Sequence, residues 1–138
     1  MDLTAHHYGI TVSDLDRAIE FYRDSLGLDV LAEFSVGGDA FATGVDIEGA
    51  SAEFAHLDAG DARLELVCYE PEGEQRPDLS LNEPGATHVG LEVDNLETVY
   101  EDLPNDVETL SEPQTTESGT KICFVSDPED NLVELLEV

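Results

Sequence analysis

Near the start of the chain, a short alternating pattern of apolar and polar residues is followed by a pattern of helical spacing. The alternating run begins at His7 and predicts a β-strand, because successive side chains of a strand face opposite sides. The next apolar residues recur at the spacing of one helix face: Leu15, Ile19, Tyr22 and Leu26. Ser13 or Asp14 can cap this helix, and Gly27 is predicted to end it.

The same succession of strand, turn and helix occurs a second time, starting at His88. The segment HVGLEVDNLETVYEDL aligns without a gap with HYGITVSDLDRAIEFY. Matching positions are His7 with His88, Gly9 with Gly90, Val12 with Val93, Leu15 with Leu96 and Asp16 with Glu97. Asp94 or Asn95 can cap the second helix, and Pro104 is predicted to end it. The chain is therefore an internal repeat of two similar halves.

Short runs typical of β-strands follow each predicted helix, separated by glycine, proline and aspartate as turns require. In the first half they are LDVLAEFSV, DAFATGVDI, SAEFAHLD and ARLELVCY, and in the second half DVETLSE, TKICFVSD and NLVELLEV. The stretch EPEGEQRPDLSLNEPG has little periodicity and is predicted to link the halves. These patterns indicate an α+β fold. A ferredoxin-like sandwich also repeats a strand–helix–strand unit, but several strands after each helix argue against it.

The last predicted strand carries a carboxylate on an apolar face. Leu132, Glu134 and Leu136 are two residues apart and therefore share one face of the strand. Glu65 occupies the corresponding place at the end of the first half, where Leu64-Glu65-Leu66 matches Val133-Glu134-Leu135. A buried carboxylate is costly unless it is paired or binds a metal. Glu137 falls on the opposite face and is interpreted as a plain surface residue.

The repeat therefore duplicates a histidine and a glutamate. His7 and His88 lie on the two first strands, and Glu65 and Glu134 on the two last. His7 is preferred to His6 because it aligns with His88, and His6 is expected to face the opposite side. Two imidazoles and two carboxylates suit a divalent metal such as Ni²⁺, Co²⁺, Mn²⁺, Fe²⁺ or Zn²⁺. Taken singly, each of the four histidines would be interpreted as an ordinary half-exposed side chain, so the metal hypothesis depends on the repeat.

The charge of the chain is strongly negative. Thirty-three acidic residues face five basic ones, which gives a net charge of −28. This charge argues against a nucleic-acid partner, because a phosphate backbone would be repelled. The acids are dispersed among periodic apolar residues, a pattern that indicates adaptation to molar salt, as in halophilic archaea. The alternative is an acidic patch that binds a basic partner.

The sequence contains no apolar run near the length that spans a membrane and no signal-peptide pattern. We therefore expect a cytoplasmic protein without a membrane partner. The two cysteines, Cys68 and Cys123, form no recognisable framework and are interpreted as small core residues in a reducing compartment.

These patterns resemble those of the vicinal oxygen chelate superfamily, which includes glyoxalase I, methylmalonyl-CoA epimerase, extradiol dioxygenases and the bleomycin and fosfomycin resistance proteins. The matching segments are HYGITVSDLDRAIEFYRDSLGL, RLELVCY, HVGLEVDNLE and DPEDNLVELLEV. The resemblance implies two tandem βαβββ modules whose curved mixed sheet forms a cup around a metal site. It also implies one domain over residues 1–138, with module 1 at about 1–70, a linker at about 71–85 and module 2 at about 86–138. The family's metal ligands carry over to His7, Glu65, His88 and Glu134.

A complete set of four ligands looks most like glyoxalase I or methylmalonyl-CoA epimerase. The resemblance therefore implies a metal-dependent lyase or isomerase that transfers a proton next to a carbonyl. It further implies a small carbonyl or thioester substrate and a homodimer. One alternative is an extradiol dioxygenase, which uses three ligands, so Glu65 counts against it. The other is a small-molecule binding or resistance protein, against which the intact ligand set counts.

Three glutamates are candidates for the catalytic base. Glu134 comes first, since a carboxylate that can swing off the metal can reach the substrate carbon. Glu65 is its pseudo-symmetric partner. Glu48 lies close to the place where epimerase relatives carry a second glutamate, and its alternative interpretation is a surface acid. Arg63 could contact an anionic substrate or pair with a surface acid, but we find no basic cluster suited to glutathione or coenzyme A.

Overall fold

A computed structural model describes residues 1–138 and divides the chain into two compact units, Met1–Gln75 and Arg76–Val138. Each unit contains its own four-stranded mixed sheet. The division falls inside the segment predicted to link the halves. None of the helices combines the length and the apolar composition needed to span a bilayer.

The first unit has the order strand, helix and three further strands, with a short extra helix. Its elements are β1 (His7–Thr11), α1 (Leu15–Glu20), β2 (Val30–Val36), α2 (Asp39–Val45), β3 (Ser51–Asp58) and β4 (Arg63–Glu70). The strands are ordered β1-β4-β3-β2, with β1 parallel to β4 and the other neighbours antiparallel. The Asp14 side chain caps α1, and a π-helical turn over Phe21–Ser25 extends it towards Gly27, whose φ is +80°. The predicted first helix is confirmed.

The two faces of the first sheet have different surroundings. Helix α1 packs against β3 and β4. The strand residues buried on this helix-covered face are Ile10, Ala55, Leu57, Leu64 and Leu66. Because side chains alternate along a strand, Glu65 belongs to the other face. That face also carries a buried cluster of Ala52, Phe54 and Val67.

Helix α2 replaces a predicted strand. The run DAFATGVDI was expected to be extended, but Asp39–Val45 is helical and ends at Asp46 in a left-handed conformation, with φ of +57°. Phe41 and Val45 are four residues apart and so lie on one helix face. The Phe41 ring packs against the Phe54 ring, with centroids 6.2 Å apart. The strand prediction was wrong because a short apolar run fits either period, and contact with the sheet favours the helix.

The second unit repeats the arrangement of the first. Its elements are β5 (Val89–Glu92), α3 (Leu96–Asp102), β6 (Gln114–Thr115), β7 (Lys121–Ser126) and β8 (Leu132–Glu137). The strand order is β5-β8-β7-β6, with β5 parallel to β8. Asn95 caps α3, as one of the two predicted caps, and the helix ends before Pro104. The two βαβββ modules and the α+β class are confirmed.

The predicted strand DVETLSE is not a strand of this sheet. The segment contributes one isolated bridge, between Thr109 and Val125, and pairing along β7 resumes only at β6. The apolar residues of the segment, Val107 and Leu110, are three residues apart and cannot share a strand face. The prediction was wrong because an extended strand over this segment would have no apolar face to bury against the rest of the module.

The two cysteines form no disulfide. Cys123 is buried, and burial raises the pKa of its thiol. Cys68 is only half-buried, and its thiol donates to the backbone oxygen of Ser13. The interpretation as a core residue is therefore confirmed for Cys123 and holds only in part for Cys68.

Glu137 has a structural contact that its interpretation as a plain surface residue missed. Its Oε1 accepts a hydrogen bond of 2.8 Å from the backbone N–H of Leu96, the first residue of α3. Its Oε2 lies 3.7 Å from Lys121 Nζ. The first N–H groups of a helix have no partner within the helix. Glu137 therefore supplies a helix-end acceptor from β8, and the earlier interpretation was wrong.

Replacing Glu137 with alanine is expected to lower the free energy of unfolding by about 1–2 kcal/mol, because the N–H of Leu96 loses its charged acceptor. Glu137→Gln keeps an acceptor oxygen and should lose less. Urea denaturation of the three proteins measures the difference. Equal stability of the wild type and Glu137→Ala would show that water replaces the contact without cost.

Candidate metal and catalytic site

In the first module, the parallel pairing of β1 with β4 brings a histidine next to a glutamate. His7 lies opposite Arg63, and Gly9 lies opposite Glu65. His7 and Glu65 are therefore diagonal neighbours on one face. His7 Nε2 is 3.5 Å from Glu65 Oε2, and the glutamate side chain is only 14% exposed. A Cβ added at Gly9 would lie 3.7 Å from Glu65 Oε1, so the carboxylate lies close over the glycine.

The second module builds an equivalent pair. Gly90 lies opposite Glu134 in the parallel pairing of β5 with β8, and His88 directly precedes β5. His88 Nε2 is 3.2 Å from Glu134 Oε1. Glu134 is 19% exposed and shares its strand face with Leu132 and Leu136, which are both half-buried. The predicted position of Glu134 on an apolar face is confirmed.

His6 lies close to His7 rather than on the opposite side. The Nδ1 atoms of the two rings are 2.8 Å apart, and the His6 ring centroid is 6.2 Å from that of His56. The expectation was wrong because His6 precedes β1, so the alternation of a strand does not apply to it. The contact uses His7 Nδ1 and leaves His7 Nε2 directed towards Glu65.

His56 is the site residue that sequence reasoning missed. The antiparallel pairing of β3 with β4 places it directly opposite Glu65. His56 Nε2 is 2.7 Å from Glu65 Oε2, and the histidine side chain is only 7% exposed, so its interpretation as half-exposed was wrong. The feature that could have predicted this contact is the hairpin loop around Gly60, whose φ is +88°. The length of such a loop determines which residues of the two strands face each other.

The other two candidates from the sequence are Glu48 and Arg63. Glu48 is exposed in the turn after α2, and the structure gives it no hydrogen bond or ion pair with His7 or Glu65. Arg63 forms no ion pair with a surface acid. Instead, its Nη1 donates to His56 Nδ1 across 3.3 Å.

The donor atoms of each pair fit two ligands of one divalent ion. Ligands about 2.1 Å from an ion are about 3.0 Å apart in octahedral and about 3.4 Å in tetrahedral geometry. The observed nitrogen–oxygen distances are 3.5 Å in the first module and 3.2 Å in the second. No group of three or more His, Cys, Asp or Glu side chains is arranged as a metal site. The predicted ligands of each module are thus one imidazole and one carboxylate.

Comparison with known proteins places this fold in a family. Residues 4–135 match the Glyoxalase family, described as the glyoxalase/bleomycin resistance protein/dioxygenase superfamily. The chain therefore belongs to that superfamily, and the resemblance recognised in its sequence is confirmed at this level.

Individual relatives are distant. Over 123 residues the chain is 28% identical to a 2-epi-5-epi-valiolone epimerase from an Actinomyces species, covering 85% of this chain and 67% of that protein. A glyoxalase family protein from Bacillus cereus has a similar structure, with a TM-score of 0.87 at 22% identity over 99% of this chain and 95% of that one. The structure of the trypanothione-dependent glyoxalase I of Leishmania major gives a TM-score of 0.71 at 27% identity. The match covers 99% of this chain and 87% of that one.

Proposed function

We propose that this protein is a divalent-metal-dependent lyase or isomerase that transfers a proton next to a carbonyl group. The observation that carries the proposal is the duplicated pair: each module sets an imidazole nitrogen and a carboxylate oxygen 3.2–3.5 Å apart at equivalent positions. The names of two relatives, an epimerase and a glyoxalase I, support this class of reaction.

The proposed ligands are the two pairs together: His7, Glu65, His88 and Glu134. Imidazole and carboxylate donors without thiolates suit Ni²⁺, Co²⁺, Mn²⁺, Fe²⁺ or Zn²⁺ in an open, catalytic type of site. Such an ion supplies Lewis-acid stabilisation of the negative charge that develops on a substrate oxygen.

Glu134 is the proposed base. Its carboxylate makes one hydrogen bond, with His88, and lies on a wall of half-buried leucines where few groups compete for it. Glu134 takes the proton from the carbon next to the carbonyl and returns it to a neighbouring carbon or to the opposite face. Glu65 has a stronger contact, with His56, and Glu48 is exposed, so both are weaker candidates.

The substrate proposed for this site is a small carbonyl compound or thioester with few anionic groups. Only five basic residues are available in the whole chain. Arg63, the one closest to Glu65 in sequence, is engaged with His56. A ligand with several carboxylates or phosphates would therefore meet mostly negative charge.

Metal analysis of the protein, purified in high salt and loaded with Co²⁺ or Mn²⁺, tests the proposal. The wild type is expected to hold one ion per chain. His88→Ala and His7→Ala should each weaken binding by at least about 10–100-fold, since even residues behind a ligand contribute this much. Loss of binding in both variants would show that both modules contribute ligands.

Glu101→Gln is the matched control, because it removes an exposed carboxylate from α3 and should leave metal binding unchanged. A wild type that holds no stoichiometric metal after several loadings would overturn the proposal in favour of a small-molecule binding protein of the same fold. With metal bound, oxygen uptake on catechols without proton exchange would favour a dioxygenase instead.

A further inference from the structure

Around Glu65, three side chains form a chain of hydrogen bonds that has no counterpart in the second module. Arg63 Nη1 is 3.3 Å from His56 Nδ1, and His56 Nε2 is 2.7 Å from Glu65 Oε2. Phe34 packs edge-on against the histidine ring, with centroids 5.1 Å apart. Hydrogen bonds thus hold both ring nitrogens of His56, and the Phe34 ring packs against the histidine ring.

The contacts determine where the proton of His56 lies. A guanidinium only donates hydrogen bonds, so His56 Nδ1 must accept from Arg63 and carries no proton. A neutral imidazole has its proton on the other nitrogen, so Nε2–H donates to Glu65 Oε2. The arrangement is that of a group behind a metal ligand, which orients the ligand by a hydrogen bond.

The corresponding positions of the second module cannot make these bonds. Phe124 lies opposite Glu134 in the pairing of β7 with β8, as His56 lies opposite Glu65. A phenylalanine ring has no hydrogen-bond donor of this kind, and His88 makes the one hydrogen bond that Glu134 has. The duplicated glutamates are therefore held differently, although their own positions are equivalent.

We propose that His56, held by Arg63, is a positioning residue that orients Glu65 as a fixed metal ligand. This inference rests on the proposed function, because it assigns Glu65 a ligand role. It explains how two equivalent glutamates can divide their roles, with Glu65 restrained by its neighbour across the strand pair and Glu134 left able to move. The difference lies in the residues opposite the glutamates, not in the glutamates themselves.

The proton position is tested without metal. In protein labelled with ¹⁵N-histidine, long-range ¹H–¹⁵N correlation at neutral pH is expected to show His56 with a protonated Nε2 and a bare Nδ1. His56→Gln removes the assigned signal and so identifies it. A proton on Nδ1, alone or in addition to one on Nε2, would overturn the hydrogen-bond chain, whatever the protein does with metals.

The positioning role is tested by Co²⁺ titration, followed by visible absorption. His56→Phe, which copies the second module, is expected to weaken Co²⁺ binding by about 10–100-fold. His56→Gln can still donate to Glu65 and should restore affinity to within about threefold of the wild type. Thermal unfolding in the absence of metal checks that both variants fold.

The outcomes separate this inference from the proposed function. Equal Co²⁺ affinity in wild type and folded His56→Phe overturns the positioning role and leaves the metal site intact. Equal losses in the two variants also overturn it, since they indicate a steric rather than a hydrogen-bonding role. A wild type that binds neither Co²⁺ nor any other divalent ion in several loadings overturns the proposed function, and the positioning role with it, even where the NMR signal shows the expected proton.

Discussion

Glu134→Gln is expected to slow proton exchange next to the substrate carbonyl by about 10²–10⁴-fold, the contribution typical of a positioned general base. The amide keeps the size of the side chain but cannot take up a proton. Solvent deuterium exchange into candidate hemithioacetals and thioesters, followed by mass spectrometry, measures the loss. Under the proposed division of roles, Glu65→Gln should instead weaken Co²⁺ binding more strongly than Glu134→Gln does.

Glu101→Gln is the control for this experiment too, since it makes the same chemical change at an exposed position of α3 in the same module. It should exchange deuterium at the wild-type rate. Wild-type exchange by metal-loaded Glu134→Gln would exclude Glu134 as the base. In that case Glu65 becomes the next carboxylate to test, because it lies on the corresponding strand of the first module.

Raising the salt concentration from about 0.1 M to about 1 M is expected to stabilise the fold strongly. The added salt shortens the range of charge repulsion from about 10 Å to about 3 Å. The physical reason is the net charge of −28 on 138 residues, which opposes compaction. We expect the thermal midpoint to rise by about 10 °C or more, which corresponds to roughly 2–3 kcal/mol for a chain of this size. Circular dichroism at a series of KCl concentrations measures the change.

Sucrose at matched osmolality separates screening from the general effect of excluded solutes, because sucrose stabilises compact states without screening charge. KCl should raise the midpoint far more than sucrose does. Equal shifts in the two solutes, or a midpoint independent of KCl, would contradict an account based on charge repulsion.

The repeat made the first strand and helix of each module predictable. Because His7 aligns with His88 and Leu15 with Leu96, one correct interpretation of strand, turn and helix served for both modules. The errors fell on segments without a counterpart or without a clear period. Helix α2 occurs in the first module between β2 and β3, and its conformation depends on packing of Phe41 against Phe54, a contact between residues that local propensity does not link.

The candidate site was predictable to the extent that it depends on position within a strand. Alternation alone places Glu134 with Leu132 and Leu136, and alignment of the halves selects His7 over His6. The role of His56 depends on the pairing of two strands and on a hydrogen bond from Arg63, neither of which leaves a periodic trace in the sequence. Residues that support a site are therefore harder to find than those that compose it.

The last strand shows how one segment can link a helix to the candidate base. Glu134 and Glu137 are three residues apart and face opposite sides of β8, and the second of them holds the first N–H of α3. A slip of one residue in the pairing of β8 would exchange its two faces. It would break the bond to α3 and turn Glu134 away from His88 in a single step. The bond from α3 to Glu137 therefore forms only when β8 is paired in the correct register. The same register sets the position of the candidate base.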